Sequence, residues 1–156
     1  MFLMNPYEEL LSDIDVPVIE SSLEHNTGYT ALYRDGRIYL EKNMSDTDKR
    51  VLLAEEYAHH QTSAGDIIDY NDPSAWKQEW KARRHSIEML ISLDSLVECA
   101  LSDCRTKKEC ADFLDVSVEL LEDSFIHYIN KYGITHSYNG YRFYFNENCI
   151  RIEKED

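Results

Sequence analysis

Three side chains capable of acid–base and metal-binding chemistry lie within five residues of one another: Glu55, Glu56 and His59. Their pattern, Glu-Glu-x-x-His, has the spacing of the zinc-peptidase motif His-Glu-x-x-His, with glutamate in the first position. In that motif the first and last residues bind the metal from one helix face, and the second is the general base that activates a water molecule. Because glutamate is also a zinc ligand, the pattern predicts either a metal site or an acidic helix face without one.

A helix is predicted to carry these residues from a cap at Ser45 to about residue 60 or 61. One helical turn separates Glu55 from His59, so their side chains share a face, whereas His60 points about 100° away. The preceding residues 51–54 are apolar, which indicates that the helix is buried. A buried cluster of carboxylates and an imidazole is unfavourable unless a cation neutralises it, and this favours the metal site.

A catalytic zinc ion takes three protein ligands and one water, so a third ligand must come from outside this helix. Glu79 is the first candidate. It lies in a predicted helix over about residues 74–90, beside Ala82, whose small side chain permits close helix packing. Asp66 is the second candidate, because the loop that follows His59 can return it to the metal. The side chains of the second helix that are expected to pack on the core are Trp76, Trp80 and Ile87.

The segments before the motif are predicted to form a capped helix and a β-hairpin. The helix covers residues 5–12, and Asn5 is its cap. Residues 30–33 and 37–40 are strand-like and flank the tight-turn signal Asp35-Gly36. This hairpin therefore directly precedes the helix that carries the motif.

The C-terminal third has the element order of a winged helix. Its predicted elements are helices over about residues 106–114 and 118–132 and a hairpin of residues 135–145 and 149–153, and a separate helix over about residues 92–101 precedes them. Such a module either recognises a partner or DNA, or simply packs on the rest of the chain. Because residues 118–124 are too acidic for a DNA major groove, packing or protein contact is favoured.

Composition limits the classes of partner. The 156 residues fit one domain, or one domain with a small appendage, and 43% hydrophobic residues are enough for a core. A net charge of −14 repels nucleic acid and anionic membranes, so a basic protein or a metal ion is the better partner. With neither a signal peptide nor an apolar run of membrane-spanning length, a cytoplasmic protein is expected.

The four cysteines form no Cys-x-x-Cys pair. They are Cys99, Cys104, Cys110 and Cys149. In a cytosolic chain they are expected to be reduced and partly buried. A zinc site built from the first three is the alternative, although their spacings are not the usual ones for zinc.

From residue 28 to about residue 93 the chain resembles the ImmA/IrrE-type metallopeptidases carried by phages and mobile elements of Gram-positive bacteria. Residues 28–40 resemble the family's hairpin, and residues 49–60 resemble its active helix, which in phage members often reads Leu-Ala-Glu-Glu-x-x-His. Residues 62–67 resemble the loop that follows. Residues 77–84 resemble the family's Glu-x-x-Ala segment, whose glutamate is the third ligand.

The resemblance implies an α+β, zincin-like fold. It would be mostly helical, with an N-terminal β-hairpin and a C-terminal helix-turn-helix plus hairpin. Together with the element order of the C-terminal third, the resemblance predicts a metallopeptidase domain of residues 1–104 and a small winged-helix-like module of residues 105–156 packed on it.

The resemblance also assigns the site. It implies Glu55, His59 and Glu79 as ligands of Zn²⁺, with Mn²⁺ as the alternative ion, and Glu56 as the general base. Glu56 would take the proton of a water and pass it to the leaving amine. The strand of residues 37–40 would hold an extended substrate by edge pairing. Two further candidates, for stabilising the oxyanion, are Tyr70 and His85. Residues of these types are more often structural or simply exposed.

The implied activity is cleavage or inactivation of a helix-turn-helix repressor. The chain departs from the full zinc motif at Glu55, which stands where the motif has histidine. A second anionic ligand lowers the Lewis acidity of the zinc, so catalytic activity would be weaker. The alternative function is therefore a weakly active or inactive zincin-fold protein that binds and sequesters a transcriptional regulator.

Overall fold

The structure is a computed structural model that describes the backbone of residues 3–63 and 73–156. The candidate ligand Asp66 and the candidate oxyanion residue Tyr70 lie outside these ranges. The chain divides into two compact units, Met1–Ser86 and Ile87–Asp156. The domain boundary after residue 104 stays a prediction, because compactness alone does not define a functional domain.

The described ranges contain seven α-helices and six β-strands. In chain order the elements are α1 (Pro6–Asp13), β1 (Val18–Ser21), α2 (Leu23–Thr27), β2 (Ala31–Arg34), β3 (Arg37–Glu41), α3 (Asp46–Ser63), α4 (Pro73–Leu90), α5 (Leu93–Leu101), α6 (Lys107–Leu114), α7 (Val118–Tyr132), β4 (Thr135–Tyr138), β5 (Tyr141–Phe145) and β6 (Ile150–Lys154). The predicted α+β, mostly helical class is confirmed. Within these ranges, no helix is both long enough and apolar enough to cross a bilayer.

The helix α1 begins at a reciprocal cap. The Asn5 side chain accepts a hydrogen bond from the Glu8 N–H at 2.8 Å, and the Glu8 carboxylate accepts one from the Asn5 N–H at 3.2 Å. The Asn5 amide also donates to the Asp46 carboxylate at 2.6 Å, which ties the start of α1 to the start of α3. These bonds satisfy backbone donors that a helix start otherwise leaves without partners. The predicted cap at Asn5 is confirmed.

The first unit contains a three-stranded sheet with the order β1-β3-β2. β2 pairs antiparallel with β3 through a turn at Asp35 and Gly36, whose φ angles are 53° and 74°, so the predicted hairpin is confirmed. β1, which was not predicted, pairs parallel with β3. β3 is therefore the central strand, and the prediction that residues 37–40 hold a substrate by edge pairing is wrong.

The helix α3 packs one face on this sheet. Ser45 caps it, accepting a hydrogen bond from the Asp48 N–H at 3.1 Å. Leu53, Ala54 and Ala58 are fully buried, whereas the side chains of the motif are only partly buried. The core cluster that includes Leu53 consists of Tyr7, Val16, Ile38, Leu40 and Leu53. This packing fixes the rotation of α3 and leaves the motif on the edge of its buried face.

In the second unit, three helices begin at side-chain caps. Ser92, Thr106 and Ser117 each accept a hydrogen bond from the backbone N–H three residues later, at 3.1 Å. The predicted starts of α5, α6 and α7 are thus confirmed. Tyr128 on α7 is buried and donates its hydroxyl to the carbonyl of Ile91 at 2.6 Å, which joins α7 to the segment before α5.

The C-terminal sheet has three antiparallel strands in the order β4-β5-β6. The prediction of a two-stranded hairpin, with residues 135–145 as one strand, is wrong. The chain turns within that segment at Asn139 and Gly140, whose φ angles of 50° and 82° are those of a two-residue hairpin turn. Phe143 and Phe145 of β5 are buried in the second unit.

Two tryptophans of α4 are exposed. Trp76 and Trp80 were predicted to pack on the core, but 60% and 62% of their surfaces are accessible, so this prediction is wrong. Ile87 is buried, as predicted. The tryptophans are one helical turn apart, on the face that also bears Glu79 and Arg83.

Candidate active site

His59 on α3 and Glu79 on α4 face each other in the first unit. The His59 Nε2 lies 3.5 Å from the Glu79 Oε1, and both side chains are partly exposed. Ala82, one turn along α4 from Glu79, is buried. The two residues that sequence reasoning drew from different helices are therefore neighbours.

Glu55 lies in the same cavity as this pair. The cavity has a volume of about 360 Å³. Its lining residues are Glu55, His59, Trp76, Glu79, Trp80, Ala82 and Arg83. Sequence reasoning missed Arg83, although its position four residues after Glu79 on one helix was a signal that the two share a face.

Burial shapes the electrostatics of the motif. Desolvation raises the pKa of Glu55, the charges of Arg83 and His59 lower it, and the charge of Glu79 raises it. Desolvation also raises the pKa of Glu56. For Glu56 the opposing effects are the charge of His59 and a hydrogen bond from the backbone of Tyr33. Ionised carboxylates in this position therefore need a positive charge nearby.

The chemical types of Glu55, His59 and Glu79 suit a cation, whereas their positions suit it only in part. Glutamate oxygens and an imidazole nitrogen are ligands of zinc and manganese. Within residues 3–63 and 73–156, however, no group of three or more His, Cys, Asp or Glu side chains is arranged to hold a metal ion. The structure thus brings His59 and Glu79 together and places Glu55 on the same cavity. The assignment of all three as ligands stays a prediction.

His60 points to a different set of partners from those of His59. The Tyr33 hydroxyl and the His60 Nδ1 are 2.6 Å apart, and the Tyr57 ring stacks on the imidazole with a centroid distance of 5.9 Å. Tyr33 therefore links β2 to α3 twice. Its backbone hydrogen-bonds to Glu56, and its hydroxyl contacts His60. His85, the candidate oxyanion residue, contacts Gln61: its Nε2 and the Gln61 Oε1 are 2.5 Å apart.

The fold and the cavity together define an α+β protein whose candidate active site is lined by carboxylates and an imidazole from two helices. The chain belongs to the Peptidase_M78 family, since the model of the family's IrrE N-terminal-like domain matches residues 11–124. This match confirms the ImmA/IrrE-type resemblance. Membership indicates a metallopeptidase-like function and a metal cofactor. Searches of the curated proteins and of the solved structures gave no match.

Proposed function

We propose that this protein is a metal-dependent endopeptidase of zincin-like fold in which Glu55, His59 and Glu79 hold Zn²⁺, or Mn²⁺ in its place. The observation that carries the proposal is the 3.5 Å approach of His59 to Glu79 in a cavity that Glu55 also lines. When bound, the metal supplies Lewis acidity for the scissile carbonyl and for the attacking water.

Glu56 is the proposed general base. It follows Glu55 directly on α3, and desolvation raises its pKa. A carboxylate of raised pKa accepts a proton from water more readily than an exposed one, and it then delivers that proton to the leaving amine. The hydrogen bond from the Tyr33 backbone holds the carboxylate in place during both transfers.

The proposed substrate is an extended segment of a basic regulatory protein, and we favour a helix-turn-helix repressor of a phage or mobile element encountered in the cytoplasm. The net charge of −14 favours a basic partner. The edge strand β2 is the better candidate for holding such a segment, because Tyr33 on this strand contacts both Glu56 and His60.

A second candidate function is sequestration of a regulator without cleavage. Two observations favour it: position 55 carries glutamate where the zinc motif has histidine, and the described residues contain no completed three-donor group. A protein of this kind would keep the fold and the acidic surface but would not turn over substrate.

The deciding experiment combines metal titration with the variant Glu56→Gln. We expect the wild-type protein to bind one more equivalent of Zn²⁺ than the variant His59→Ala does, and to cleave a repressor. Glu56→Gln should retain the metal but lose about 10²-fold or more of the cleavage rate, the typical contribution of general acid–base catalysis.

The matched control is Glu9→Gln, since Glu9 is an exposed glutamate of the same unit. Its cleavage rate should equal that of the wild type. Equal uptake of Zn²⁺ and of Mn²⁺ by the wild-type protein and by His59→Ala would refute the metal site. Repressor binding without cleavage by the metal-loaded protein would support sequestration.

A further inference from the structure

Three of the four cysteines meet in the second unit, whereas the candidate active site belongs to the first. Cys99 is on α5, Cys104 follows the end of that helix, and Cys110 is on α6. The Cys104 N–H donates to the Cys99 carbonyl at 3.4 Å, so the turn after α5 folds Cys104 back over Cys99. The hydrogen bond from the Cys110 N–H to the Thr106 carbonyl, at 3.0 Å, places Cys110 in the first turn of the neighbouring helix.

The three thiols lie close enough to influence one another's ionisation. The pKa of Cys99 is raised by burial and by hydrogen bonds to the thiols of Cys110 and Cys104. The pKa of Cys110 is raised by burial, while its hydrogen bond with Cys99 lowers it and its hydrogen bond with Cys104 raises it. No disulfide joins them, since all four cysteines of the chain are free. The fold has therefore gathered three reduced sulfurs.

A cavity opens at this cluster. It has a volume of about 180 Å³, and its lining includes all four cysteines together with Arg105 and Lys107. Cys99 is buried, whereas Cys104 and Cys110 are partly accessible, so an ion can reach the sulfurs from solvent.

We propose that Cys99, Cys104 and Cys110 form a binding site for a soft divalent cation of the Zn²⁺ and Cd²⁺ class. Thiolates are the preferred protein ligands of such ions. On binding, three thiols lose three protons to solvent and three metal–sulfur bonds form, which gives a complex of net charge −1. Because no three donors in the described residues already surround one point, the side chains of Cys104 and Cys110 must rotate about χ1 as the ion enters.

Cadmium titration of the reduced full-length protein tests the site. Cd²⁺ bound to thiolates gives an ultraviolet charge-transfer band that carboxylate and imidazole ligands do not give, so the candidate active site does not contribute to this signal. We expect the band to saturate at one equivalent. Alkylation followed by mass spectrometry should then show that Cd²⁺ protects Cys104 and Cys110 while Cys149 stays reactive.

Single variants test whether Cys104 and Cys110 are ligands of the ion. Cys110→Ser and Cys104→Ser should each weaken Cd²⁺ binding by about tenfold or more, because loss of a direct ligand exceeds the effect of losing a residue that only supports one. Because Cys149 lines the same cavity, the control is Glu119→Gln at an exposed glutamate of α7, which should leave the affinity unchanged. An absent band in the wild type, or Cd²⁺ protection of Cys149 alone, would overturn the proposal. The protection assay uses unsubstituted protein, so it decides the question even where a variant fails to fold.

Discussion

At the scale of single residues, the surroundings of the motif on α3 depend on side chains that α4 contributes. His59 gains a partner in Glu79, and Glu55 shares its cavity with Arg83. The approach of Glu79 to His59 could be expected from the resemblance, because the glutamate of the family's Glu-x-x-Ala segment is its third ligand. The place of Arg83 in the cavity was harder to predict, since an arginine on a polar helix face usually belongs to the solvated surface.

The variant Tyr33→Phe tests the link between β2 and α3. It removes the hydroxyl 2.6 Å from the His60 Nδ1 but keeps the ring and the backbone. We expect the free energy of unfolding to fall by about 0.5–1.5 kcal/mol, the typical net value of one hydrogen bond. Urea denaturation measures this change. Tyr29→Phe, at a residue 61% exposed, is the control and should be neutral; equal stability of all three proteins would contradict the link.

At the scale of helices and strands, local signals were reliable and long-range pairings were not. The starts of α1, α5, α6 and α7 could be predicted because a helix cap is a contact within four residues. β1 was missed because it is a short strand with two polar residues, and its pairing with β3 depends on residues about twenty positions away. The Asn139-Gly140 turn was also missed, although the dipeptide itself is a strong turn signal.

The packing of α3 on the sheet is tested by Leu53→Ala. Leu53 is fully buried in the core cluster of the first unit. Removing it leaves a cavity, so we expect destabilisation by about 2–5 kcal/mol in chemical denaturation. Leu101→Ala is the matched control, since Leu101 is 71% exposed and its truncation should change stability little. Similar losses for both variants would show that α3 is not seated as described.

The charged group between α4 and α7 predicts a pH dependence of the second unit. Burial raises the pKa of Glu88, but the hydrogen bond and charge of Lys131, together with His127, lower it below 4.5. Glu88 therefore stabilises the fold above pH 4.5, and this stabilisation is lost as the pH falls through its lowered pKa. Lys131 contributes below pH 10.5 and loses its effect as the pH rises through its raised pKa.

Glu88→Gln should accordingly lower stability at neutral pH by about 0.5–1 kcal/mol, the range for partly exposed ion pairs after solvent screening. The difference from the wild type should shrink as the pH falls well below 4.5. Urea denaturation across this pH range measures it. Glu119→Gln, at an exposed glutamate of α7, should show no such dependence, and a constant deficit for Glu88→Gln at every pH would contradict an electrostatic origin.

At the scale of the whole molecule, net charge favours some classes of partner over others. Thirty acidic residues against sixteen lysines and arginines give the net charge of −14. This balance was readable from composition alone, and it argues against DNA recognition by the helices and sheet of the C-terminal third. The sequence could not give the identity of a protein partner, because net charge sets attraction without specifying a contact surface.

Two binding measurements follow from this charge. We expect no mobility shift of duplex DNA at 150 mM salt, a concentration at which the Debye length is about 8 Å. A basic repressor-derived peptide should bind, with an association rate that falls steeply as salt is raised. A matched peptide with lysines replaced by glutamines is the control. DNA binding, or peptide association insensitive to salt, would contradict the prediction.

The strand order β1-β3-β2 also has a kinetic consequence. The β2–β3 hairpin closes through a two-residue turn and can form within microseconds, whereas β1 must join β3 across a separation of twenty residues and therefore pairs later. Until it does, one hydrogen-bonding edge of β3 is open during folding, on a strand that carries the core residues Ile38 and Leu40. An open edge on a hydrophobic strand is prone to pair with the same edge of another chain, which leads to aggregation. The refolding yield of this protein should therefore depend on its concentration while β1 is still unpaired.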